Sequence, residues 1–484
     1  MPRSFPPTLP WKSVSADWNP WPTAADKRTT INASIRHKKT PPDPRKGAFS
    51  ILSKAETTRK DLSALIDETL KGQSFEAKDS AFLTELVYGV FRRRGFLDWQ
   101  IHHFSKTGRM KSQVRNILRL GLYQLLFLDR VPPYAAVNTA VGLAKSCCGR
   151  SSGAFVNAVL RNIVRAKGAL PTPGQNNPAE FIAVTESHPE WMVRRWLDRF
   201  GEAATVSICR ANNEQPPMTL RVNVLKTHRD KLYDELTKAG GHLRKTAISP
   251  DGLIVKGLSL HSLPAFRSGE IYVQDEGAQL ITYLIDPQAG ENILDLCAAP
   301  GGKMSHLAER SGGKAAIVAT DIDERRLSLI RENINRLHSP ACRVEKIEDA
   351  LAPDRFYDRI VVDAPCSALG ILRRIPEGKW WKKPDIIAES ARKQAALLEK
   401  ALLHLKPKGR LVYITCSTEA EENEAIAAGF SERHPKMVIE DPAPSLPDPA
   451  RKYVNAMGYF TTAANSDKMD RFFAVKWMNH RSHP

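Results

Sequence analysis

The stretch Ile293–Lys303, ILDLCAAPGGK, constrains this chain more than any other: an apolar run breaks into a turn of small residues just ahead of the helical run MSHLAERSG. Ile293, Leu294, Asp295 and Leu296 read as a short buried strand, while Ala298, Ala299, Gly301 and Gly302 keep side chains out of the turn, so that backbone can approach a ligand closely. The run AAIVATDIDERRLSLIRENI adds a second apolar strand ending in Asp321. That carboxylate falls about 20 residues beyond Gly301, the spacing at which a strand-end acid reaches ribose hydroxyls. The turn carries neither the Gly-x-Gly-x-x-Gly order nor a Gly-Lys-Ser/Thr ending, so neither a dinucleotide nor a triphosphate is its natural ligand. An adenosine without phosphates fits, and S-adenosylmethionine is the leading candidate.

From residue 273 to 484 strand and helix patterns alternate, which predicts a parallel sheet with helices on both faces. The expected strands are ENILDLC, AAIVATD, CRVEKIED, DRIVVDAP, GRLVYITC and RFFAVKW. In such a sheet the ligand crevice lies beyond the carboxyl ends of the strands. Those ends carry Cys297, Asp321, Asp349, Asp363 followed by Pro365 and Cys366, and Thr415, Cys416 and Ser417. A single cysteine reads as a small buried hydrophobe. Cys366 and Cys416 together, in turns containing Pro and Ser, read as a pair of reactive thiols.

Such a pair suits methyl transfer to carbon. Cytosine C5 is a poor nucleophile; a thiolate added to C6 gives C5 enamine character, and the adduct must later lose the C5 proton and expel the thiolate. Spacing alone does not decide which cysteine attacks.

With 484 residues, two to four domains are expected at roughly 100–200 residues each. Lys and Arg number 71 against 53 Asp and Glu, a net charge of +18 that attracts a polyanion, nucleic acid first and an anionic membrane second. No apolar run approaches the ~20 residues that span a bilayer, and MPRSFPPTLPWK has Pro where a signal peptide needs an apolar helix. A cytoplasmic location is expected. The seven cysteines are odd in number and irregular in spacing, which excludes a disulfide framework, and without a Cys-x-x-Cys no zinc or other metal is expected.

Residues 1–40 mix Pro, Thr, Trp and basic residues without periodicity and read as a flexible basic tail. Residues 41–166 are helical throughout, with arginines in VYGVFRRRGFLDW and GRSSGAFVNAVLRNIVRA at places where helices are expected to begin and to favour phosphate. Residues 167–180 read as a linker and 181–272 as a small α+β module, whose Arg194, Arg195, Arg199 and Arg221 offer either an RNA path or a structural helix face.

The segments PRKGAFSIL, ELVYGVFRRRGFLDW, RNILRLGLYQLLFLDRVPPYAAVNTAVGLAK and FVNAVLRNIVR resemble the NusB-type helical RNA-binding domain, in the version fused to the RsmB (Sun/Fmu) type of bacterial 16S rRNA cytosine-C5 methyltransferase. ILDLCAAPGGK, VVDAPCSALGILRRIPEGKWW and LVYITCSTEAEENE resemble that family's cofactor loop, Asp-Ala-Pro-Cys motif and Thr-Cys-Ser motif, in the family's order. The resemblance covers nearly all of the chain after residue 41. It implies a multidomain fold: an all-α NusB-like domain, a small α+β module and a C-terminal α/β Rossmann-like methyltransferase domain over 273–484.

It implies further that Cys416 is the nucleophile and Cys366 assists product release. Cys297, Ala298, Ala299, Pro300, Gly301, Gly302, Lys303, Asp321, Asp349 and Asp363 would bind S-adenosylmethionine. Arg373, Arg374, Lys379 and Trp380 match the rRNA branch and suggest phosphate contacts and base stacking. The implied partner is rRNA, naked or in an early small-subunit assembly intermediate, with no membrane and a monomeric protein. DNA cytosine methyltransferases instead place the nucleophile in a Pro-Cys motif, which favours Cys366. A tRNA or DNA cytosine methyltransferase, and a NusB-like assembly factor with an inert methyltransferase fold, are the alternatives. Arg471 departs from the Gly usual after Asp470 in the family, a departure that bears on the last hairpin.

Overall fold

The computed structural model describes residues 42–481 except 108, 167, 168, 259, 261, 262, 340 and 463–467; the tail expected over 1–40 lies outside the described residues. The chain divides into two compact units, one holding the chain up to Cys209 together with Ile375–Trp381, the other Arg210–Arg374 and the chain from Lys382 onward.

In the first unit, helices span Pro44–Thr58, Leu62–Gly72, Ala77–Ser105, Ser112–Phe127, Pro133–Cys148, Arg150–Arg165 and Pro178–Thr185. Local chemistry starts them: Asp43 accepts from the Arg45 N–H, and Pro44 and Pro133 sit where a missing N–H costs nothing. Val156, Val159, Leu160 and Ile163 form a helical stripe buried in the same core as Ile51, Leu52, Leu118 and Leu122. Gly89 is required by packing, since a Cβ there would lie 2.0 Å from the Tyr123 ring. The buried Arg119 is satisfied by Asp98 at 2.7 Å and Glu56 at 2.6 Å.

The arginines of VYGVFRRRGFLDW do not stand at a helix start as expected. They lie inside Ala77–Ser105, and Arg92 is buried. The segment Ile375–Trp381 belongs to this unit and corrects a second expectation. Lys379 is 0% exposed and donates from Nζ to the carbonyls of Arg92 at 2.9 Å and Ser187 at 3.1 Å. Burial, followed by the nearby Arg93, holds its pKa well below the ordinary lysine value. Trp380 donates from Nε1 to the Phe91 carbonyl at 2.7 Å, and the Glu377 carboxylate accepts from the Leu62 N–H at 3.1 Å. Lys379 is therefore sealed in the interior of the helical unit and presents no phosphate ligand, while the half-buried Trp380 is anchored to the same unit through its indole N–H.

The second unit opens with a four-stranded antiparallel sheet of β1 (Met218–Val222), β2 (His242–Lys245), β3 (Gly252–Lys256) and β4 (Ile271–Val273), in the order β2-β3-β1-β4. Leu220 and Val222 face a core with Leu232 and Leu236 of helix Arg229–Lys238. Arg221 alternates to the other face. It is not the exposed basic edge allowed for in the sequence: it is 0% exposed and reaches Glu309 at 2.6 Å, Ser305 at 2.9 Å, and Gln274 and the Gly302 carbonyl at 2.7 Å.

The large sheet contains β5 (Asn292–Asp295), β6 (Ala316–Ala319), β7 (Cys342–Val344), β8 (Tyr357–Asp363), β9 (Leu405–Thr415), β10 (Met437–Ile439), β11 (Phe460–Thr461) and β12 (Phe473–Asn479), ordered β10-β12-β9-β8-β5-β6-β7 with β11 beside β12. β5 to β9 pair in parallel, but β12 runs antiparallel to β9, and β10 and β11 antiparallel to β12. The sheet is therefore mixed, and two of its strands, β10 and β11, are too short to show as patterns in the sequence. Alternate residues divide between two cores. Ile293, Ile317, Val361 and Val412 pack with helices Glu276–Ile285, Gly302–Arg310 and Glu324–Leu337; Leu294, Val318, Ile360 and Leu411 pack with Asp385–Leu403 and Glu424–Arg433.

Arg221→Ala leaves Glu309 as a buried, uncompensated carboxylate. It should lower the unfolding free energy of the full chain by about 3–5 kcal/mol, as for a broken buried pair, measured by urea denaturation. A loss within the ~1 kcal/mol of an exposed pair would contradict this reading of Arg221.

Candidate active site

Strand order reverses at β5, with β6 and β7 on one side and β8 and β9 on the other. That switch point opens a crevice beyond the strand ends. The turn after β5 is tied down from outside: Ala298 N–H donates to the Thr320 carbonyl at 2.9 Å, Asn333 Nδ2 to the Pro300 carbonyl at 2.9 Å, and Arg326 to the Ala299 carbonyl at 3.2 Å. The Ala299–Pro300 peptide is cis, and Gly301 has φ 98°, which favours glycine there. Gly302 begins the next helix, and a Cβ on it would meet the Tyr272 ring at 2.9 Å.

Three acids surround this turn. Asp321 is buried, 3.2 Å from Arg326, and accepts from the Asp323 N–H at 3.3 Å. Asp363 accepts from Lys303 Nζ at 2.6 Å. Burial alone would lower the Lys303 pKa, but Asp363 more than offsets it and holds the ammonium above its ordinary value. Asp295 is fully buried, and neither of its carboxylate oxygens has a hydrogen-bond partner. Burial, then the neighbouring Asp363, pushes its pKa up to about 7. Sequence reading placed Asp295 in the strand without a role, although an acid inside an apolar run was itself a signal.

The two thiols meet: Cys366 Sγ and Cys416 Sγ are 3.3 Å apart at the ends of the adjacent strands β8 and β9. The bond to Cys366, then burial, holds the Cys416 thiol well above the ordinary range, with Lys303 acting in the opposite direction. Burial, then the neighbouring Asp295, pushes the Cys297 thiol up to about 12. Asp349 is exposed on the short helix Ile347–Ala350, past the outer strand β7 and not at the strand end expected for it.

Arg373 and Arg374, expected to contact phosphate, are engaged by carboxylates. Arg373 is 2% exposed and bonds Asp470 at 2.6 Å and Asp275 at 3.2 Å; Arg374 bonds Asp275 at 2.7 Å and also Asp470. Their charge is neutralised where it sits. Arg471 leaves β12 in register, with Phe473 opposite Thr415, and donates its N–H to the Gly370 carbonyl at 3.1 Å.

The crevice thus joins an open-backbone turn, an unpartnered buried carboxylate at Asp295 and a strand-end acid at Asp321. This donor set fits a nucleoside bearing positive charge. Because the folded state favours neutral Asp295, its contribution to stability is full below the ordinary value of 3.8 and is lost as pH rises through about 7. Asp295→Asn cannot ionise, so its thermal midpoint should exceed the parent's by an amount that grows with pH up to about 7 and then levels off. Calorimetry showing a difference independent of pH would contradict the assignment.

Comparison with known proteins identifies the family. The 16S rRNA methyltransferase RsmB/F family matches residues 282–478, the NusB family 42–165, and the RsmF/B-like ferredoxin-like domain 188–259. The chain is 35% identical over 394 residues to the probable ribosomal RNA small subunit methyltransferase B of Bacillus subtilis (strain 168), covering 80% of this chain and 88% of that one. It is 38% identical over 389 residues to ribosomal RNA small subunit methyltransferase B of Yersinia pseudotuberculosis serotype O:1b (strain IP 31758), covering 78% and 88%. The crystal structure of PH0851 superposes with a TM-score of 0.75 at 26% identity, over 91% of this chain and 99% of that one. The chain belongs to the 16S rRNA methyltransferase RsmB/F family, and its cofactor is S-adenosylmethionine.

Proposed function

We propose that this protein methylates C5 of a cytosine in 16S rRNA through a covalent Cys416 adduct at C6. The observation that carries the reading is the pair of sulfurs 3.3 Å apart beside the Lys303–Asp363 pair at the switch point of the sheet. Methylation of an oxygen or an exocyclic nitrogen has no need of two thiols, whereas C5 must first be activated by addition at C6.

Cys416 rests as a thiol, so attack begins with loss of its proton, favoured by the Lys303 ammonium nearby. The thiolate bonds to C6, and the electron pair of the C5–C6 double bond moves to C5. Cys297–Lys303, Asp321 and Asp363 would hold S-adenosylmethionine, which when bound would supply the methyl group and leave as the neutral thioether. Asp295 is added to that set, because its unpartnered buried oxygens suit the cofactor's positive charge. Transfer of the C5 proton to water then restores the double bond and expels Cys416 as a thiolate, with Cys366 at hand to manage the release. Asp363, anchored by Lys303, offers an acceptor to the base edge or to the cofactor.

Because C6 is inaccessible inside a duplex, the target cytosine is flipped or single-stranded. The RNA is naked 16S rRNA or an early assembly intermediate, met by a cytoplasmic monomer whose +18 charge draws it in. No helix among the described residues is long and apolar enough to cross a membrane.

RNA containing 5-fluorocytosine tests the roles of the thiols, since fluorine blocks the elimination step. Cys416→Ala should form no adduct stable to denaturing gels and transfer no methyl group. Cys366→Ala should attack but release poorly and accumulate adduct on ordinary cytosine. The inverse pattern would assign the nucleophile to Cys366. Methyl transfer measured side by side on 16S rRNA, tRNA and duplex DNA should favour the first, and preference for either other substrate would overturn the rRNA assignment.

A further inference from the structure

Next to the thiols lies a buried carboxylate that the reaction above does not use. Glu422 is 0% exposed, and its hydrogen bonds come from neutral groups alone. Oε1 accepts from the Ser367 N–H at 2.7 Å and from Gln394 Nε2 at 3.1 Å; Oε2 accepts from Ser417 Oγ at 2.5 Å and from Ser367 Oγ. Ser367 directly follows Cys366, and Ser417 directly follows Cys416. The two hydroxyls also meet each other at 3.0 Å.

The residues preceding each cysteine are held by the same group. Gln394 Nε2 donates to the Pro365 carbonyl at 3.0 Å. Asn423 accepts from Thr415 Oγ1 at 2.5 Å and donates to the Ser417 carbonyl at 3.1 Å. The Glu422 carbonyl is in turn fixed by the Tyr413 hydroxyl at 2.6 Å. Each cysteine is thus bracketed on both sides by residues bonded to Glu422, Asn423 or Gln394. A carboxylate buried without a cation is costly to keep and is retained where it secures a geometry.

We propose that Glu422 is the positioning residue that sets the separation of the Cys366 and Cys416 sulfurs, a role that rests on the two-thiol reading above. The bracket acts through hydrogen bonds to the flanks of both loops and touches neither base nor cofactor. The role calls for an acceptor of this shape more than for the charge itself. A glutamine at this position keeps one oxygen for the Ser367 N–H and Gln394, while both serine hydroxyls can turn to accept from its amide.

Phenylarsine oxide tests this in the full chain without RNA, because it condenses with two neighbouring thiols to a cyclic dithioarsine and water only when both sulfurs can reach the arsenic. Peptide mapping separates bridging of Cys366 with Cys416 from bridging of the adjacent Cys147 and Cys148. Glu422→Ala should lose the Cys366–Cys416 bridge and lower kcat about 100-fold, the scale for misplacing reacting groups by an ångström, with the KM for RNA and the Kd for S-adenosylmethionine unchanged. Glu422→Gln should recover both the bridge and kcat. An intact bridge and rate in Glu422→Ala, or a Glu422→Gln as impaired as Glu422→Ala, would overturn the proposal. Should Glu422→Ala lose cofactor binding and prove misfolded, Ser367→Ala/Ser417→Ala decides by the same readouts, loss of the bridge supporting the bracket and an intact bridge refuting it. A protein that bridges normally yet methylates no cytosine would count against the reaction and not against the bracket.

Discussion

The parallel pairing of β8 with β9, in a register that sets Asp363 opposite Ile414, is the constraint on which the site depends. It carries two distant motifs to one end of the sheet, so that Cys366 and Cys416 emerge side by side. A shift of one residue would turn one of those strand ends to the opposite face. The apolar alternation prevents it, since Val361 and Val412 must enter one core while Ile360 and Leu411 enter the other. Burial on both faces of the sheet thus fixes which strand ends the two thiols follow, independently of the polar contacts around them.

Polar contacts then refine it. The crevice concentrates Asp295, Asp321 and Asp363, pairs Asp363 with Lys303 and Asp321 with Arg326, and leaves both oxygens of Asp295 without a partner. Carboxylates crowded in a buried space oppose ionisation, and Asp295 shows that opposition most clearly. Such a site is costly in the free protein and suited to a ligand that brings positive charge. The double clamp of Arg373 and Arg374 on Asp275 and Asp470 works differently: its charges are balanced internally, and it braces the chain that follows Cys366 against the segment leading into β12.

Much of this was legible in the sequence. β5, β6, β8 and β9 are buried on both faces and read as continuous apolar runs, so the residues at their ends could be named. Strand direction could not be read, because periodicity carries none, and the antiparallel β12 was taken for one more parallel strand. Lys379 was misread for a physical reason: in a basic, aromatic run it resembles an RNA-contacting residue, and the carbonyls that hold it, of Arg92 and Ser187, lie far away in the chain. Asp349 was assigned to a strand end because CRVEKIED reads as one strand, but pairing stops at Val344. Glu422 could not be singled out, since within EAEENE nothing distinguishes it from the other acids until the two serines are seen around it.

The central claim is that this geometry serves C5 methylation of a cytosine in small-subunit rRNA. Bisulfite sequencing of 16S rRNA, from cells with the gene intact, deleted, or replaced by a Cys416→Ala copy, tests it most directly. The account predicts one cytosine that resists conversion only when the intact protein is present. An rRNA with the same protected cytosines in all three strains would contradict it.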